Sequence, residues 1–122
     1  MQYIDPHHKR VEFRAASFRV ESNGAEKSLV FAAQDSHETV TVFASAALVA
    51  ARISSEEEDF VLWKIQILEG NSWLTLDFKP NPKLSRLVVR IAGMSFDDLD
   101  LALKELIASR PVLYYRNHPY ES

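Results

Sequence analysis

Residues 60–92 alternate in hydrophobicity through three consecutive runs, and the way those runs must pair leaves few folds open. In the first run Trp63, Ile65 and Ile67 alternate with Lys64 and Gln66. In the second, Leu74, Leu76 and Phe78 alternate with Trp73, Thr75, Asp77 and Lys79. A period of two puts each set on its own face of a strand. Gly70-Asn71 lies between the runs and suits a type II′ hairpin turn, so a strand over about residues 60–69 turns directly into the next. That turn sets Ile67 against Leu74, Ile65 against Leu76 and Trp63 against Phe78. The reverse face joins Gln66 to Thr75 and Lys64 to Asp77, the latter as an ion pair, with Leu68 beside Trp73. A one-residue slip would mix the two faces, which fixes the register.

The second connection gives an independent test. If Pro80-Asn81-Pro82-Lys83 forms the loop, Lys79 pairs with Leu84. Leu76 then meets Leu87, Leu74 meets Val89 and Ser72 meets Ile91, with a weaker match of Phe78 to Ser85. On the reverse face Asp77 meets Arg86 and Trp73 meets Arg90. Both registers name the same apolar face. The other face carries Lys64, Gln66, Trp73, Thr75, Asp77, Arg86, Val88 and Arg90.

A helix follows the meander. Ser95-Phe96-Asp97-Asp98 is a capping signal, and Leu99, Ala102, Leu103, Leu106 and Ile107 recur at helical spacing up to Arg110-Pro111. The spacing predicts a helix over about 96–109, packed on the meander's apolar face. A short extended piece at 112–116 comes last. Upstream, residues 9–20 read as a strand whose facing parity changes across Ala15-Ala16-Ser17, which indicates a bulge. Asn23-Gly24 signals a hairpin returning over 28–33. Residues 36–53 fit two templates. Asp35 and Glu38 could cap a helix, while the β-branched run at 39–43 favours a strand over 38–44. The fold class expected is α+β: a mostly antiparallel sheet, made of an N-terminal hairpin and a three-stranded meander, with the helix on one face.

A chain of 122 residues has the size of one domain, here with loose ends at about 1–8 and 117–122. Its 47% hydrophobic and 25% charged residues exclude global disorder. The net charge of −3 argues against a protein that coats nucleic acid. No cysteine is present, which removes disulfides, thiol catalysis and thiolate metal sites together. The three glycines lie too far apart for a phosphate loop. The start of the chain lacks a secretory pattern and no apolar run has membrane-spanning length, so a cytoplasmic address without membrane contact is expected.

Several residue groups imitate known chemistry. His7, His8, His37 and His118 lack metal-ligand spacing, so no metal is expected. Asp35-Ser36-His37 names the members of a triad, but triad residues meet through the fold and are seldom chain neighbours. Glu105 with Asp97, Asp98 or Asp100 falls on the predicted solvent side of the helix, where solubility and the helix dipole account for it. The acidic run Glu56, Glu57, Glu58 and Asp59 reads as a solvated connection with a secondary binding role. Tyr115 and Tyr120 in the tail are secondary docking candidates. The leading candidates are Trp73, Arg86 and Arg90 with Lys64 and Gln66, because Trp and Arg are enriched at binding hot spots. A second core covering this face is the competing reading.

The expected function is a non-enzymatic protein-binding domain without a cofactor. One concrete version is a bacterial immunity or inhibitor protein acting by surface complementarity. The alternatives are a self-associating subunit, a single-strand nucleic-acid binder using Trp73, Arg86, Arg90 and the tyrosine tail, and an enzyme whose site forms with His37 and a carboxylate at a dimer interface.

Overall fold

In the computed structural model, residues 10–23, 26–45 and 47–117 are described. They form β1 (Arg10–Asn23), β2 (Glu26–Ala33), β3 (Thr39–Ala44), β4 (Val49–Ile53), β5 (Asp59–Leu68), β6 (Trp73–Phe78), β7 (Arg86–Arg90), α1 (Phe96–Ile107) and β8 (Leu113–Asn117). The segment that fitted both templates is β3 and β4, not a helix. Its β-branched residues face alternately into the core, which a helix would have scattered around its axis.

Two long strands organise the sheet. Residues 10–14 of β1 run parallel to β7, and from Ala15 onward β1 pairs antiparallel with β2. Residues 59–61 of β5 pair with β4, and residues 64–68 lie between β6 and β8. Each strand changes partners at a bulge, with Ala16 the extra residue in β1 and Trp63 the extra residue in β5. A bulge bends and twists a strand, which lets one strand serve two sheets. Strands β1 to β7 thereby close into a ring, and β8 extends the sheet from β5. The sheet is mostly antiparallel, as expected, but not purely so: β1 with β7 and β5 with β8 are parallel, which makes it mixed. Hairpin arithmetic fixes only neighbours joined by short turns, whereas these two pairings join strands distant in sequence.

The meander registers hold along most of their length. Ile67 faces Leu74, Ile65 faces Leu76, Leu76 faces Leu87 and Leu74 faces Val89. The β5–β6 connection is not a two-residue type II′ turn. It is a 3₁₀ turn, Glu69–Asn71, followed by Ser72 in the left-handed region at φ 57°. The register survives because the longer loop is centred on the same two residues. Trp63 does not face Phe78. The bulge places Leu62 there, so Trp63 turns outward while Leu62 and Ile65 both point inward.

One apolar core fills the ring, with Phe31, Val42, Phe60, Ile65, Leu76 and Leu87 among its fully buried members. Leu99, Leu103, Leu106 and Ile107 of α1 join it. The Ser95 side chain caps the helix, accepting from the Asp98 amide at 3.2 Å. The helix neighbours β2 and β3 rather than lying across the meander, and Lys27 of β2 pairs with Glu105 at 3.3 Å. At its end, Arg110 Nε donates to the Ser45 carbonyl at 2.7 Å. The expected loose ends lie outside the described residues except Asn117, which pairs with Leu68. Among the described residues no helix is long and apolar enough to cross a membrane.

Candidate docking face on the outside of the barrel

The outward side of β1, β7, β6, β5 and β8 is a grid set by the registers. One row reads Arg14, Arg90, Trp73, Leu68 and Asn117. The next reads Glu12, Val88, Thr75, Gln66 and Tyr115, and the third reads Arg10, Arg86, Asp77, Lys64 and Leu113. All five leading candidates from the sequence therefore share one surface, and Tyr115 joins them.

The centre of this face is covered by its own long side chains: Val88 is 1% exposed, Thr75 3% and Asp77 4%. Trp73 contributes to that cover. Its ring lies 5.2 Å from the Arg10 guanidinium and 6.0 Å from that of Arg90. Arg10 and Arg90 are four register positions apart along the sheet, so a ring near both extends across the Val88 row. Glu12 sits between the two cations, 3.4 Å from Arg10 and 3.6 Å from Arg90. Trp73 is half-buried in this small external cluster and retains an exposed part.

Asp77 does not form the expected ion pair with Lys64. Its Oδ1 accepts from Arg86 Nε across the other strand boundary, while Oδ2 is buried without a hydrogen-bond partner. Lys64 turns away. Its Nζ lies 5.8 Å from the Trp63 ring and 5.7 Å from the Tyr115 ring. Two π faces attract the ammonium, and the bulge at Trp63 brings the first of them alongside. Gln66 Nε2 donates to Asn117 Oδ1 at 2.6 Å, which ties β5 to β8 near the rim.

A polar cluster on the reverse side of β8 anchors this edge. Arg116 lies 2.7 Å from both Glu69 and Asp97 and 3.4 Å from Asp100. The Tyr114 hydroxyl donates to Asp100 Oδ1, and Lys104 lies 3.1 Å from Asp100 Oδ2. Burial alone would raise the Asp100 pKa. The hydrogen bonds from Tyr114 and Lys104, with the charges of Lys104 and Arg116, outweigh it and hold the carboxyl below its ordinary value. Burial and the Asp100 carboxylate together push the Tyr114 hydroxyl well above the usual tyrosine range. Asp100 is thus a buried structural partner of β8 rather than the solvent-side acid expected, whereas Asp97 stays on the solvent side, 86% exposed, while pairing with Arg116.

The remaining candidates disperse. Glu56 and Glu57 are exposed in the β4–β5 connection. Glu58 pairs with Lys83 at 3.0 Å and accepts from Asn81 at 3.1 Å, which lowers its pKa. Asp59 takes two hydrogen bonds from Arg52, at 2.8 and 3.1 Å. His37 is exposed in the bend between β2 and β3, and His7, His8, His118 and Tyr120 lie outside the described residues. Among the described residues no group of three His, Asp or Glu side chains is arranged to hold a metal.

Sequence reasoning missed Arg10, Glu12 and Arg14, because nothing local shows that β1 lies beside β7. It also missed Trp63, whose outward turn depends on the bulge. Comparisons with protein-family models, with curated proteins and with solved structures gave no match, so the functional reading rests on this geometry.

Proposed function

We propose that this chain is a non-enzymatic protein-binding domain that docks a partner on the outer face of β1, β7, β6, β5 and β8. The observation that carries this reading is charge segregation. The face presents five cations, Arg10, Arg14, Arg86, Arg90 and Lys64, against two carboxylates, Glu12 and Asp77. The whole chain has a formal charge of −3. A local positive excess on an acidic chain gives a partner orientation and speeds encounter. The aromatic residues among the cations supply the contact types that dominate binding energy. Inhibition by surface complementarity, of the immunity-protein kind, is the simplest consequence of such docking and is the version we carry forward.

The testing experiment is affinity capture of the tagged chain from native lysate beside an Arg86→Glu/Arg90→Glu variant of verified fold. A stoichiometric protein lost from the variant lane supports the reading. A partner retained equally by both lanes places the docking surface elsewhere and refutes it.

A further inference from the structure

We infer that the centre of this docking face is the cluster of Trp63, Lys64, Leu113 and Tyr115, and that it receives an acidic segment of a partner protein carrying apolar side chains next to its carboxylates. The inference rests on the protein-binding reading above and adds where the energy is concentrated and what chemistry fits it. Among the described residues six large hydrophobic side chains are exposed, and three of them meet here: Trp63 at 44%, Leu113 at 50% and Tyr115 at 48%. The registers make them neighbours. Leu113 stands opposite Lys64, Tyr115 stands opposite Gln66, and Trp63 precedes Lys64 in the bulge. An exposed apolar cluster ringed by polar groups is the usual composition of a binding centre.

The charge at this point selects the occupant. Arg10, Arg86 and Arg90 already have carboxylate partners within the face. Lys64 and Arg14 have none among the described residues, and of these two only Lys64 adjoins the exposed cluster, its ammonium 5.8 and 5.7 Å from the centres of the Trp63 and Tyr115 rings. A cation fixed in place loses little side-chain freedom when it meets a carboxylate. Lys64 is also half-buried beside the rings, and a half-buried charge is screened less than one in open water. Single-stranded nucleic acid fits less well. Its phosphates would have to compete with Glu12 and Asp77 for three of the arginines, whereas a protein segment needs only one carboxylate at Lys64 and apolar contact around it. The cluster is also firmly placed, because β8 is tied from behind by Arg116 and Tyr114.

The test is selection of binding peptides from a phage-displayed random dodecamer library against the full chain, followed by affinity measurements on synthetic winners. Enriched peptides are expected to carry Asp or Glu beside Leu or aromatic residues. They should lose at least ~10-fold in affinity with Lys64→Glu and with Tyr115→Ala. The two variants attack charge and apolar contact separately, and each is checked for an unchanged melting temperature. Binders that lose affinity with Arg86→Glu/Arg90→Glu but not with Lys64→Glu or Tyr115→Ala would overturn this centre and leave the protein-binding reading standing. Binders without acidic enrichment would overturn the assigned chemistry. A labelled 20-mer of oligothymidylate is titrated in parallel. Tight binding that falls steeply with salt and disappears in Lys64→Glu would make nucleic acid the occupant and overturn both statements.

Discussion

The Arg10 guanidinium lies 5.2 Å from the centre of the Trp73 ring, although β7 separates their strands. The contact roofs Val88 and Thr75 on the outside of the barrel. Trp73→Ala removes that roof without opening the interior. It should cost about 1–2 kcal/mol of stability, on the scale of partial apolar re-exposure, and leave a single cooperative transition. Urea unfolding checks this. On the docking reading the same variant weakens partner binding by ~2 kcal/mol, the hot-spot scale.

Ser72 adopts a left-handed backbone at φ 57° where the β5–β6 loop rejoins its strand. A side chain at such a position is mildly strained, and glycine relieves the strain while adding freedom to the unfolded chain. Strain of about 1–2 kcal/mol exceeds the entropy cost of about 0.5–1 kcal/mol, so Ser72→Gly should raise stability by a net of about 0.5 kcal/mol. A higher melting temperature supports this account. A lower one would mean that the serine side chain has a partner worth more than the strain.

Asp77 gives Oδ1 to Arg86 and keeps Oδ2 buried without a hydrogen bond. Removing the guanidinium strands a buried carboxylate. Arg86→Ala should therefore cost about 2 kcal/mol, the usual loss when a buried charged acceptor is orphaned. In an Asp77→Ala background the same substitution should cost much less. A double-mutant cycle in denaturant reads the coupling directly, and equal losses in both backgrounds would remove the pair as the cause.

Tyr114 and Asp100 make the terminal strand sensitive to pH in opposite directions. The Asp100 pKa is lowered in the fold, so its contribution is complete above the unfolded carboxylate value and is lost as pH falls through the lower folded value. The Tyr114 pKa is raised, so its contribution is complete below the unfolded tyrosine value and is lost as pH rises through the folded one. Asp100→Asn should thus flatten the acid side of the stability profile. In a phenolate absorbance titration, one of the four tyrosines should ionise only as the chain unfolds in alkali.

What the sequence disclosed followed from locality. The faces of β6 and β7, the bulge at Ala16, the cap at Ser95 and the strand after the helix depend on neighbours in the chain, and all could be read. The bulge at Trp63 could not, because Trp63 and Phe78 make an acceptable pair on paper. Only the closing contact of β4 with the start of β5 requires the strand to bend there. The docking face was half legible for the same reason. Arg86, Arg90 and Trp73 come from the meander, whereas Arg10, Glu12 and Arg14 arrive through a pairing between strands far apart in sequence.

That pairing also orders the assembly of the molecule in time. Arg10 finds its register opposite Arg86 only after most of the chain has been synthesised. The connections from β1 through β4 can close one after another as they emerge, each between neighbours. The first five residues of β1 must wait with their edge unsatisfied. Late closure of so distant a contact places folding toward the slow end for small domains, about milliseconds to seconds. It also makes β7 the strand that closes the sheet against β1. A chain stopped before it would hold an open sheet with an exposed edge and would tend to aggregate.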